Sequence, residues 1–212
     1  MLFSLRRTST RVDNSFNTPS QPSGTYTEDR ADRSRIFRAR QMMADRASAA
    51  LRLFVGKDVH KFSCAHMTVF PDGTKERLHG HNFQASIELE LVGTDPDLLD
   101  FALLKKALQE QCDAWTERLL LPGDSPALVL VRESDGETEF RLCGQRYVVP
   151  TGDVIVLPVR NVVVESLARV FAHALVARLG PALRPELVSA LNVTIAESAG
   201  QGATFRVPLG SQ

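Results

Sequence analysis

Four of the five histidines fall between His60 and His81, the fifth being His173. At the centre of the cluster stands His79-Gly80-His81. On an extended strand residues i and i+2 point to the same face, so both imidazoles can converge on one ion, and the glycine between them lets backbone or ligand come close. His66 ends a preceding β-like segment, and antiparallel pairing through the connection from Met67 to Leu78 would carry it across to complete a set of three nitrogens. Three protein ligands with a free fourth position is the arrangement of catalytic rather than structural zinc. Taken alone, an H-x-H pair is more often coincidence or satisfied core histidine than a metal site. His60 shares the face of His66 unless the strand is bulged; for it and for His173 the expectation is ordinary packing or a surface position.

The elements that must hold these side chains form one domain behind a tail, which is what 212 residues allow. Lys and Arg together number 25 and Asp and Glu also 25, so the overall basic footprint of a nucleic-acid binder is absent. No apolar run reaches the length of a membrane span, since Pro158, Arg160 and Asn161 interrupt the one from Val154 to Val164. Three widely spaced cysteines (Cys64, Cys112, Cys143) do not make a disulfide framework, which points to a reducing cytoplasm. Residues 1–46 hold nine Arg against five acids, and with their Ser, Pro and Gly are expected to form a disordered tail leading into a short helix within 33–51. Its opening MLFSLRRTSTR has a faint cast of an organellar transit peptide. The domain proper, 47–212, begins with two antiparallel strands, LRLFVGKDVHKFSCAH and HNFQASIELELVG, the second placing Phe83, Ala85, Ile87, Leu89 and Leu91 on one face. A helix follows in LLDFALLKKALQEQCDAWTERLL, then a hairpin insert at 128–149 turning at Asp135-Gly136. A second helix spans Val163 to about Leu179 and stops at Gly180-Pro181, and LNVTIAES and ATFRVPL close the chain as a strand pair. That order predicts an α+β fold, an antiparallel sheet with two helices packed on one face.

The segments FSCAH, RLHGHNFQASIELE, LLDFALLKKAL, VVVESLARVFA and VTIAES resemble, in this order, the landmarks of the zinc-dependent tetrahydropterin synthases, which include the 6-pyruvoyl and 6-carboxy enzymes, the latter of queuosine biosynthesis. The specific part is S-x-A-H followed by L-H-G-H-N and then D-F-x-x-L-K. The resemblance runs from about Phe54 to Phe205 and is interrupted by the insert. It implies Zn2+ held by His66, His79 and His81, and a pterin substrate such as 7,8-dihydroneopterin triphosphate gripped by Glu197. A carboxylate suits that grip because it accepts two parallel N–H bonds from a 2-amino-4-oxo pyrimidine edge. It also implies the tunnelling fold, whose barrel is closed by oligomerisation, commonly as a homohexamer with active sites between subunits; ring closure removes exposed strand edges.

The family's proton relay is altered here. The cysteine that precedes H-G-H in relatives falls on Lys75, with Glu76 next to it; the relay's Asp-His pair corresponds to Asp113 and Ala114; and the hydroxyls ahead of the glutamate matching Glu165 are replaced by Val162-Val163-Val164. Lys75 could serve as base if desolvated beside a metal, and Glu76 could do so, as a carboxylate does in family variants that cleave the side chain by a retro-aldol route. Cys64 and Cys112 are further candidates. The resemblance thus implies a lyase with Lys75, Glu76 and Asp113 in its chemistry and Glu165 and Glu197 on the substrate. The alternatives are a metal- and pterin-binding homologue without turnover and, more distantly, a zinc hydrolase.

Overall fold

The computed structural model describes residues 51–92 and 99–209, with Arg35, Phe37 and Arg38 ahead of them in helical conformation. The expected tail and the rest of its short helix lie outside the described residues. The chain divides into two units, and its sheets and the two helices packed on them belong to the second, Met42–Gln212.

Strand β3 (His79–Leu91) is the spine of the main sheet. Its alternation buries Phe83, Ala85, Ile87 and Leu89 on one face, each 1% exposed or less. One edge of β3 pairs with two short strands in succession, β1 (Arg52–Val55) and β2 (Lys61–His66), where the sequence suggested a single strand. The break has a local cause. At Gly56 a Cβ would meet the Phe54 ring at 2.6 Å, and the His60 N–H closes a turn onto the Lys57 carbonyl. The buried His60 belongs to that turn, its Nδ1 accepting from the Lys57 N–H, as the packing expectation had it.

The first helix, α1 (Phe101–Trp115), starts where the Asp100 side chain caps the Ala102 and Leu103 N–H groups. The second, α2 (Val164–Leu179), ends at Gly180 with φ 49°. Both cover the same face of the sheet: Phe62 on β2 stacks on Phe171 of α2 with centroids 5.8 Å apart and meets Trp115 of α1 edge-on at 5.4 Å. Neither helix is long and apolar enough to cross a membrane.

The expected all-antiparallel sheet is corrected to a mixed one. After α1 the chain enters β4 (Arg118–Pro122), parallel to β2, and later β8 (Val154–Leu157), parallel to β4, giving the order β10-β9-β3-β2-β4-β8 with β1 beside β3. The run Leu119–Leu121 is buried on both faces, so it lacks the alternation that marks a strand. The insert is corrected as well, from a hairpin to a separate three-stranded sheet of β5 (Leu128–Ser134), β6 (Glu137–Leu142) and β7 (Gln145–Pro150). Asp135 and Gly136 form the expected turn with φ 57° and 77°, and Cys143-Gly144 repeats it with 49° and 77°. Phe140 and Leu142 of this sheet pack on Met67, Leu119 and Leu121. The closing strands β9 (Val188–Ser198) and β10 (Gln201–Pro208) complete the main sheet, which among the described residues forms no closed barrel.

On the sheet face away from the helices, Glu90 takes two hydrogen bonds from Arg206 (3.0 and 2.8 Å) and one from Asn192 (2.9 Å). These hold its carboxyl down to about 2, first through Arg206 and then through Asn192. A depressed carboxyl stabilises the fold above its ordinary range, and that contribution is lost as pH falls from about 4.5 to about 2. Glu90→Gln is therefore expected to lower Tm by roughly 2–4 °C at pH 7, and the gap to the parent should close toward pH 2; thermal melts across that window check it.

Candidate metal and substrate site

The pairing of β2 with β3 sets the histidines. His66 lies directly opposite His79, and Cys64 opposite His81. Gly80 makes so close an approach workable, since a Cβ there would sit 3.0 Å from the Cys64 carbonyl oxygen. Ring centroids are 4.6 Å apart for His66 and His79, 4.9 Å for His79 and His81, and 5.3 Å for His66 and His81, and one ligand nitrogen from each lies within 4.8 Å of the others.

The tautomers follow from the partners. A carbonyl only accepts, so Nδ1 of His66, 2.9 Å from the Val162 oxygen, carries a proton, and so does Nδ1 of His79, 2.8 Å from the Arg77 oxygen. In the neutral rings Nε2 is then the free lone pair. His66 is 4% exposed, burial pushes its pKa down, and its Nε2 is buried without a hydrogen-bond partner. A buried imidazole nitrogen of this kind is costly unless something takes its lone pair, and a backbone carbonyl on the other nitrogen is how ligating histidines are held. The donor set fits a divalent ion with affinity for nitrogen, zinc among them.

Around the histidines opens a cavity of about 280 Å³ whose wall includes His66, His79, Glu76, Glu165, Glu197 and Gln201. The Glu76 carboxylate lies 3.8 Å from Nε2 of His79. Its backbone N–H donates to the Thr68 carbonyl at 2.9 Å, and hydrogen bonding from Thr68 holds its carboxyl below the usual range. Glu197, near the end of β9, places a carboxylate oxygen 2.9 Å from Nε2 of His81. Glu165 is exposed in the first turn of α2, whose N-cap Val163 offers no side-chain cap.

The structure thus brings Glu76, Glu165 and Glu197 to the histidines. Lys75 is placed otherwise: its ammonium donates to the Glu76 carbonyl at 3.1 Å and lies 5.2 Å over the Tyr147 ring of the insert. Asp113 is exposed on α1, where it accepts from Gln109. Cys64 and Cys112 are buried thiols, pushed up to about 12 by that burial. His173 is exposed on α2 with its ring 5.5 Å from that of Phe205. Thr68 and Gln201 join the site without any signal in their spacing.

The family model described as 6-pyruvoyl tetrahydropterin synthase matches residues 56–208. The chain belongs to this family. A protein of Methanocaldococcus jannaschii named as a 6-carboxy-5,6,7,8-tetrahydropterin synthase is 33% identical over 148 residues, 69% of this chain and 89% of the relative. One of Halobacterium salinarum with the same name is 30% identical over 154 residues, 72% and 87% of the two chains. Among solved structures, the 6-pyruvoyl tetrahydropterin synthase of Plasmodium vivax superimposes with a TM-score of 0.69 at 26% identity, covering 76% of this chain and 99% of the other. A further structure of that P. vivax synthase, equally similar, carries alanine in place of a glutamate described as its catalytic residue. Family membership makes tetrahydropterin synthase-like chemistry the frame for the cavity.

Proposed function

We propose that the protein is a zinc-dependent lyase of 7,8-dihydroneopterin triphosphate or a closely related dihydropterin, with Glu76 as its base. The observation that carries this is a group of three histidines, two of which line one cavity together with three carboxylates, in a chain of this family. His66, His79 and His81 would hold the ion, which when bound supplies Lewis-acid stabilisation of negative charge on the substrate side chain. Glu76, held ionised by Thr68, takes the proton leaving that side chain. Glu197 accepts from the 2-amino-4-oxo edge of the ring, and Glu165, which lines the same cavity, is a second carboxylate on the substrate. Glu76 is favoured over Lys75 because it lines the cavity while Lys75 is engaged with Tyr147, and because the P. vivax synthase has a catalytic glutamate.

The reading extends to assembly. Among the described residues β8 and β10 each end the main sheet with a free edge, which a closed homo-oligomer, a hexamer as in the tunnelling fold, would cover. Light scattering on the full chain checks this, and a monomer would count against it.

Incubating the zinc-loaded protein with 7,8-dihydroneopterin triphosphate and identifying products by mass spectrometry tests the activity. Zinc-dependent consumption of the substrate is expected. Zinc-dependent binding of pterin without any conversion would replace the enzyme by a binding homologue.

A further inference from the structure

Between β8 and α2 the chain passes through Val159–Val163 without joining the sheet, and within this stretch one uncharged polar side chain, Asn161, reaches across to the loop between β2 and β3. Its Nδ2 donates to the Val69 carbonyl at 2.9 Å, and its Oδ1 accepts from the Val69 N–H at 2.9 Å. The same Oδ1 accepts from the N–H of Val162 at 3.1 Å. The amide therefore satisfies both polar groups of Val69, as a neighbouring strand would, while bracing its own chain. The assignment of Oδ1 and Nδ2 follows from the partners, because the N–H groups can only donate and the Val69 carbonyl can only accept.

Both ends of this clamp lead into the site. Val162 presents its carbonyl to Nδ1 of His66, so a brace on that residue fixes the group that sets the His66 tautomer. Val69 forms an antiparallel bridge with Lys75, and its neighbour Thr68 exchanges bonds with Glu76, so a brace on Val69 fixes the loop that carries the proposed base. We propose that Asn161 is a positioning residue that locks, through one side-chain amide, the carbonyl orienting His66 and the loop carrying Glu76. The Glu76 half rests on the function proposed above; the His66 half stands on the metal site alone.

The chemistry makes asparagine specific. Aspartate keeps the acceptor for Val162 and Val69 N–H but has no donor for the Val69 carbonyl and sets a charged oxygen against it. Alanine removes all three bonds. The two substitutions should therefore separate the two halves of the clamp.

The test uses the full chain and its Asn161→Ala and Asn161→Asp variants, with zinc affinity read by competition against a chromophoric chelator and with dihydropterin turnover read in parallel. Asn161→Ala is expected to weaken zinc by about 10- to 100-fold, as loss of a group that orients a ligating histidine does, and to lower kcat at least about tenfold with KM within about twofold. Asn161→Asp should hold zinc within about threefold of the parent and still lose kcat, because Val162 stays braced while the Val69 carbonyl is repelled. Asn192→Ala, which removes an amide bonded to Glu90 on the other face of the sheet, is the folding control: it should lower Tm and leave zinc affinity and kcat unchanged. Zinc affinity and kcat of Asn161→Ala equal to the parent's, or losses no greater than those of Asn192→Ala, would overturn the proposal. If Asn161→Ala does not fold, Asn161→Asp decides, and unchanged kcat there overturns it. A parent that turns over no dihydropterin defeats the function proposed above, while the zinc affinities still judge the His66 half.

Discussion

A His79→Ala, His81→Ala double variant is expected to purify with no divalent ion, where the parent carries one per chain, and with no dihydropterin turnover. Three nitrogens within 4.8 Å of one another form the set, and a single remaining imidazole is a weak ligand. The fold should survive. Both side chains are about one-third exposed, at 35% and 29%, and β3 is held by Phe83, Ala85, Ile87 and Leu89 below them, so the melting temperature should move little. His66→Ala should behave differently: it removes a 4% exposed ring, opens a gap in the interior and strands the Val162 carbonyl, so it should lose both the metal and stability, by about 1–3 kcal/mol for the buried carbonyl alone. Metal analysis of the purified proteins beside thermal melts separates these outcomes. Full metal occupancy in the double variant would sink the three-histidine centre.

The parts of the fold and site legible in the sequence are those set by local interactions. The histidine set could be read because two of its members are i and i+2 on one strand and the third ends the strand paired beside it, so periodicity alone places all three rings on one face. The helices and the Asp135-Gly136 turn were legible for the same reason, their signals lying within a few residues. The parallel pair β4–β8 was not, because Leu119–Leu121 is buried on both sides and an unbroken apolar run has no period to read. Nor could spacing choose between Lys75 and Glu76. They are neighbours beside an isolated bridge, Lys75 over Tyr147 of the insert and Glu76 beside His79, and for the lysine that choice is made by a contact with a segment some 70 residues further along the chain. Asn161 was invisible for the same reason, its partner Val69 being 92 residues away.

Replacing Glu76 by glutamine is expected to lower kcat by about 10² to 10⁴ while leaving the dissociation constant for the pterin nearly unchanged. Glutamine keeps the size of the side chain and an acceptor for the Thr68 N–H, so the loop should stay in place; what it lacks is a group that can take a proton. The contrast with two other variants gives the result its meaning. Glu197→Ala should weaken pterin binding first, since that carboxylate is assigned to the ring rather than to the reacting side chain. Lys75→Ala should leave kcat within about tenfold of the parent, because the ammonium is engaged with Tyr147 and the Glu76 carbonyl and removing it costs at most a modest cation–π contact. Steady-state kinetics together with equilibrium binding of an unreactive pterin distinguish the three. If Glu76→Gln turned over as fast as the parent while Lys75→Ala lost activity a hundredfold or more, the base would be the lysine, and the loop would have to turn Lys75 away from Tyr147 when substrate enters. A loss confined to binding in Glu76→Gln would instead make this carboxylate a second grip on the ring and leave the proton without an acceptor among the carboxylates of the cavity except Glu165, whose place in the first turn of α2 would then be the one to test.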